Sequence, residues 1–320
     1  MDLDDRSGLQ TRIYRGLIDE RRLFAAVVVK TRWRLEGGRL QLEPEQDWKV
    51  LDGHAETPEG VVHHDNCFRK AGADVVLLGP AVAPRPVASL RVRVAIGSAF
   101  AAEVAVHGRR TWRKRLLREP EIGPAEPFTS APMGHRQAYG GADTWDGLAM
   151  AFPDNPEGVG YYLEAANCID KPLPTVEDPA HPIRAWNDRP EPVGLGLRPP
   201  VWGPSARRGA EFDAKGNLVK LHPCMFNTAF PACIAPETRP GDAIEVAGMT
   251  ADGPWRAALP ACPARAELTM GEKVHPLAWR LDQVWIEPAS GRVRLAWRSP
   301  FRYTMRALER RLVSIERVAA

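Results

Sequence analysis

The sequence predicts a mainly β protein: antiparallel sheets packed as sandwich-like lobes, joined by long proline- and glycine-rich loops, with little helix. Three observations lead there. Apolar residues alternate with polar ones over short segments, turn residues separate those segments at short intervals, and prolines number 30 in 320 residues. That is about twice the usual share. Proline cannot donate from its backbone nitrogen and breaks helix interiors, so this density points to turns and strand ends.

The strands follow in order. In "LFAAVVVKTRWRLEGGRLQLEPEQ" an apolar run from Phe24 to Val29 leads into Thr31, Trp33 and Leu35 on one face. The glycine pair Gly37 and Gly38 then turns the chain and Leu40 and Leu42 alternate again, which is the pattern of a β-hairpin. "ADVVLLGPAVAP", Ala73 to Pro84, reads as a short apolar strand stopped by Gly79 and Pro80. "VASLRVRVAIG" sets Leu90, Val92, Val94 and Ile96 on one face, and "FAAEVAVHGRRTW" alternates through Val104 and Val106. Short strands with turn signals between them are the mark of sandwiches and barrels. Residues 1–125 are therefore expected to form an N-terminal β-rich lobe.

Residues 126–320 are expected to form a second β-rich lobe carrying the long loops, with a single continuous domain as the alternative. From about Pro120 to Pro240 the chain is dense in proline, glycine and tryptophan and shows little periodicity. Loops this long inside a compact domain are usually functional or docked on a partner. Tyr161, Tyr162, Trp186, Trp202 and Phe212 are interleaved through it and argue against a disordered linker. Beyond Pro240 the β pattern resumes. Leu281 and Trp285 approach the turn "EPASGR", and Val293, Leu295 and Trp297 leave it on one face, a second hairpin. "FRYTMRALERRLVSIERV" reads as either a short helix or a strand.

Composition excludes several classes. The hydrophobic share of 44% and charged share of 26% are those of ordinary globular proteins. No run approaches the roughly 20 apolar residues of a spanning helix, so no membrane insertion is expected. The start, "MDLDDRSGLQTRIYRG", has no apolar core of a signal peptide, which makes the cytoplasm the expected location. Cys67, Cys168, Cys224, Cys233 and Cys262 are odd in number and widely spaced, the pattern of reduced, mostly buried thiols. A net charge of +3 is too mild to imply nucleic acid.

Chemistry-bearing motifs are sparse. Neither a P-loop nor the glycine fingerprint of a dinucleotide fold is present, so no cofactor is expected. "HHDNC" gathers His63, His64, Asp65 and Cys67, and "HPC" adds His222 and Cys224, without the paired spacing of a zinc site. The expectation there is an exposed loop before a strand and no metal. There is no nucleophile elbow. Asp143, Asp146 and Asp154 lie near aromatic residues and supply the carboxylates a carbohydrate-active hydrolase would need, although aspartate is equally at home in turns. "RRTWRKRLLRE" places Arg109, Arg110, Arg113, Lys114, Arg115 and Arg118 close together, a solvated face or a surface for an acidic protein.

Several stretches stand in a recognisable order: "VVVKTRWRL" with its glycine turn and "EPEQ", "FRKAGADVVLLGPAVAP", "LRVRVAIG", "VAVHGRRTW", "RQAYGG", "NPEGVGYY", "PVGLGLRPPVW" and "CMFNTAFP". From about Phe24 to about Trp297 this ordered set resembles the domain of unknown function 2169 family, found in bacteria with type VI secretion genes. The resemblance implies protein binding without turnover: an adaptor or chaperone that helps load a secreted toxin effector onto the secretion spike or its tip. A structural interaction module is a further alternative, and one placed in the envelope would need export. Arg109 stands where the family tends to be acidic, beside the matching Arg110 and Trp112. The cysteines and apolar residues of "KLHPCMFNTAFPACIAPE" stand where the family tends to acidic and glutamine-containing text. Both departures bear on the partner's identity.

"NPEGVGYY" reads as a shaped loop entering a strand. Pro156 biases Asn155 toward extended backbone, Gly158 and Gly160 permit angles other residues avoid, and Tyr161 and Tyr162 are expected to begin a strand with their rings on opposite faces. With Tyr139, Gly140 and Gly141 it forms a rigid corner. Arg110, Trp112, Tyr139, Gly140, Gly141, Asn155, Pro156, Gly158, Gly160, Tyr161, Tyr162 and Trp202 are the candidate family-motif and partner-binding residues. An exposed tyrosine would be the natural anchor.

Overall fold

The strand Leu23–Glu36 is the spine of the protein. Its β-branched and aromatic residues fit a pleated surface, and Ala25 through Thr31 are buried without interruption, so both of its faces are covered. In the computed structural model, which describes residues 1–17, 23–57, 60–198, 207, 209–303 and 310–318, this strand belongs to a seven-stranded sheet. The order is Gln10–Leu17, Leu23–Glu36, Arg292–Tyr303, Arg280–Glu287, Ala73–Leu77 and Ile234–Ala235, with Arg39–Leu42 also on the spine. Pairing is antiparallel except between Arg280–Glu287 and Ala73–Leu77.

Two further sheets cover it. The five-stranded sheet runs Val176–Glu177, Phe100–His107, Ser89–Ile96, Ala243–Ala247, Trp255–Ala258. Its Val92, Val94, Ile96, Val104 and Val106 pack with Val75, Leu77, Val284, Ile286, Val293 and Leu295 in the main core. The four-stranded sheet runs Asp2–Arg6, Arg311–Arg317, Ala264–Met270, Lys273–Leu277, and its Ala266, Leu268, Val313 and Ile315 pack on Val27 and Val29. The protein is thus mainly β, its sheets mostly antiparallel. Both large sheets draw strands from either side of residue 125.

The two hairpins read from sequence are present, the second turning at Gly291 in left-handed backbone. In the ambiguous C-terminal stretch, Phe301 to Tyr303 and Arg311–Arg317 are strand. The middle holds more structure than its composition suggests. Three short hairpins project at its start and within it: Trp112–Arg115 with Arg118–Ile122, Ala142–Trp145 with Leu148–Ala151, and Ala210–Phe212 with Leu218–Leu221. A satellite core of Trp112, Tyr139, Tyr162, Cys168, Leu173 and Ile183 lies among the segments that carry the first two.

Candidate functional site

The corner is a backbone knot. Tyr139–Gly140 pairs in parallel with Val159–Gly160, and Asn155, buried, ties the two together. Its Nδ2 donates to the carbonyls of His135 at 2.7 Å and Tyr139 at 3.0 Å. Its own carbonyl accepts from the amides of Gly141 and Gly158. Glycine is required where these chains touch: a Cβ on Gly140 would meet the Asn155 carbonyl oxygen at 2.1 Å, with φ at +148°. Here the sequence reading is corrected. The strand ends before the tyrosines, and both rings pack against the same satellite core instead of opposite faces. Tyr162 donates from its hydroxyl to the Pro172 carbonyl at 2.7 Å. Tyr161 lies between Phe152, at 5.4 Å between ring centres, and the Arg189 guanidinium at 5.1 Å.

Arg110 joins the knot by donating to the Pro174 carbonyl at 2.8 Å and pairing with buried Glu177. Trp112 is buried in the satellite core. The structure therefore brings the named residues together around one small core, with Pro156 at its exposed rim; Trp202 lies outside the described residues. The three aspartates are dispersed among separate tasks. Asp143 accepts from the Leu163 amide at 2.7 Å, Asn167 Nδ2 at 2.9 Å and the Thr144 amide at 2.8 Å. Partial burial works against its charge, but these donors outweigh it and hold the carboxyl below its ordinary pKa. Asp154 pairs with Arg207, and Asp146 occupies a left-handed turn position with φ of 48°.

What projects from this corner is apolar. The first hairpin carries Leu116 and Leu117 at its tip, 86% and 95% exposed. Arg113, Lys114, Arg115 and Arg118 flank them. The second exposes Trp145, Leu148 and Met150, and the third Phe212, Leu218, Val219 and Leu221. All three are anchored nearby: Trp112 roots the first in the satellite core, Asp143 ties the second to Asn167, and Arg207, just before the third, pairs with Asp154.

A second constellation escaped the sequence reading. Register aligns Lys30, Ala296, Gln283 and Asp74 across four adjacent strands, so a polar row crosses the interior of the seven-stranded sheet. Asp65 meets Lys30 at 2.7 Å and accepts from Gln283 at 2.9 Å. Arg298 grips Asp282 through two bonds of 3.0 Å and donates to the carbonyls of Cys67 and Asp65. Lys70 reaches Asp74 at 2.7 Å and Asp282 at 3.6 Å. Burial alone would favour neutral Lys70, but Asp282 and Asp74 hold its charge and raise its pKa. Burial likewise opposes the Asp282 charge, yet Arg298 and Lys70 bring its pKa down to about 2.

"HHDNC" is thus not an exposed loop: Asp65 and Cys67 are buried in this network. Burial, then the charges of Lys70 and His54, lower His63 to about 4. Its ring lies 5.3 Å from that of His54. Among the described residues no group of three His, Cys, Asp or Glu side chains is placed to hold a metal ion, and no helix is long and apolar enough to cross a membrane.

Residues 20–298 match the family model described as an uncharacterized protein conserved in bacteria, DUF2169. No curated protein and no solved structure matches the chain.

Proposed function

We propose that this chain, which belongs to the DUF2169 family, is a non-enzymatic adaptor or chaperone that binds a type VI secretion effector in the cytoplasm and helps load it onto the secretion spike or its tip. The observation that carries the binding role is the set of three anchored hairpins with exposed Leu116, Leu117, Trp145, Leu148, Phe212 and Val219. Exposed apolar side chains grouped on projecting elements are the usual mark of a protein interface. The secretion role draws on the sequence resemblance. A hydrolytic role is disfavoured by Asp143, whose oxygens are already occupied by local donors and whose lowered pKa makes it a poor proton donor.

The mechanism is reversible docking. Hairpin side chains cover an apolar part of the effector, and the basic flank of the first hairpin favours an acidic client surface. Capture of the tagged chain from its host under secretion conditions, with mass spectrometry, tests this. The expected result is enrichment of one toxin-like protein by the native chain and its loss from L116D/L117D. Recovery of the bare chain after crosslinking overturns the reading.

A further inference from the structure

A pocket of about 490 Å³ opens beside the buried charge network, where the ends of the seven-stranded sheet meet the segment before the four-stranded one. Its volume falls in the range of ligand sites. Buried Lys70, Arg298 and Asp282 line it, with Trp279 and Trp297 as aromatic wall and Arg69, Arg239 and Arg280 nearer the solvent. A second pocket of about 430 Å³ shares Arg69, Lys70 and Arg280 and continues to His222 and Cys224. The two adjoin along these cations.

The charge balance of this groove is one-sided. Asp282 is committed to Arg298 and Lys70, and exposed Glu237 faces Arg239 at 3.8 Å. Arg69 and Arg280, both exposed, pair with no carboxylate among the described residues. Two free guanidiniums at the junction of two pockets, backed by a tryptophan, suit carboxylates on an extended ligand that also carries an apolar side chain.

Resting on the adaptor reading, we infer that this groove holds an acidic peptide segment of the partner, its carboxylates on Arg69 and Arg280 and an apolar side chain on Trp279. The groove reaches the base of the third hairpin, where His222 follows Leu221 and bonds Glu211, and gives the partner a charge-selective point of attachment beside the hairpin side chains.

The test uses the full chain and a fluorescein-labelled peptide of alternating glutamate and leucine, with a lysine-and-leucine peptide as control, followed by anisotropy. The expected result is binding of the acidic peptide only, weakened at least about tenfold by R69Q/R280Q and by raised salt. Both arginines are exposed, so circular dichroism of that variant should match the native chain. Equal binding of the lysine peptide, or an acidic peptide indifferent to R69Q/R280Q, overturns the inference. So does displacement of the acidic peptide by equimolar inorganic phosphate, which marks a small-anion site. The client capture described above is scored separately. A native chain that captures its toxin while the acidic peptide does not bind refutes the groove and leaves the adaptor standing.

Discussion

Replacing Asp74 by asparagine should be among the most damaging near-isosteric changes in this protein. The Asp74 carboxylate is fully buried and accepts from Lys70 Nζ at 2.7 Å, Asn227 Nδ2, the Thr228 amide and Thr228 Oγ1 at 3.0 Å, and the Ala229 amide at 3.1 Å. An asparagine keeps the shape and one acceptor oxygen. Its amide, turned either way, faces donors, and Lys70 is left with only Asp282 at 3.6 Å. Removing one partner of a buried ion pair costs about 3–5 kcal/mol, a large part of the roughly 5–15 kcal/mol that stabilises an ordinary protein. Urea unfolding followed by tryptophan fluorescence reads this directly, since Trp285 lies on the strand that pairs with Ala73–Leu77. D74N should lose at least about 3 kcal/mol, and adding K70M should recover part of it, because the stranded charge is then gone. A loss below about 1 kcal/mol, or no recovery in the double variant, refutes the account of this network.

Three further outcomes follow from the same structure. Asn155→Ala removes two donors from buried carbonyls and should cost about 1–3 kcal/mol in thermal or urea unfolding; an unchanged midpoint contradicts the knot. Gly140→Ala, with its Cβ 2.1 Å from a backbone oxygen, should yield little folded protein, as judged by soluble yield and circular dichroism. Stability should also fall on mild acidification. His63 remains neutral in the folded chain down to about pH 4, whereas an unfolded histidine takes up its proton near pH 6.5. Its contribution is therefore full above about pH 6.5 and is lost as pH falls from there to about 4, by at most about 3 kcal/mol. A second loss sets in below about pH 4 as Asp282, held near 2, is protonated. Unfolding at pH 7.5, 5.5 and 4.5 checks the first window, and H63Q should reduce the loss without abolishing it, because burial also lowers the pKa of His64 and His107.

Strands with one buried face were legible because alternation and burial share a period of two: Val92, Val94 and Ile96 are buried while Arg91 and Arg93 are exposed. The spine was legible as an apolar run. The polar row was not, because its partners are joined only by tertiary pairing. Asp74 meets Thr228, far along the chain, and Lys30 meets Asp65, which reads locally as part of a histidine-rich loop. A signal was available in Lys30 directly after Val27 to Val29 and in Asp74 between Ala73 and Val75, charges embedded in runs otherwise fit for burial. The three middle hairpins have strands of five residues or fewer, too short for periodicity to register. The corner was legible in its glycines and Asn155. The directions of Tyr161 and Tyr162 were not, because the pairing stops at Gly160.

The most direct test of the adaptor account is secretion of the captured client in a host strain lacking this chain, complemented with the native gene or with L116D/L117D. The account predicts that the client reaches the medium with the native chain and stays in the cell without it or with the hairpin variant, while other secreted proteins are unaffected. Normal export of the client in the strain lacking the chain would contradict it.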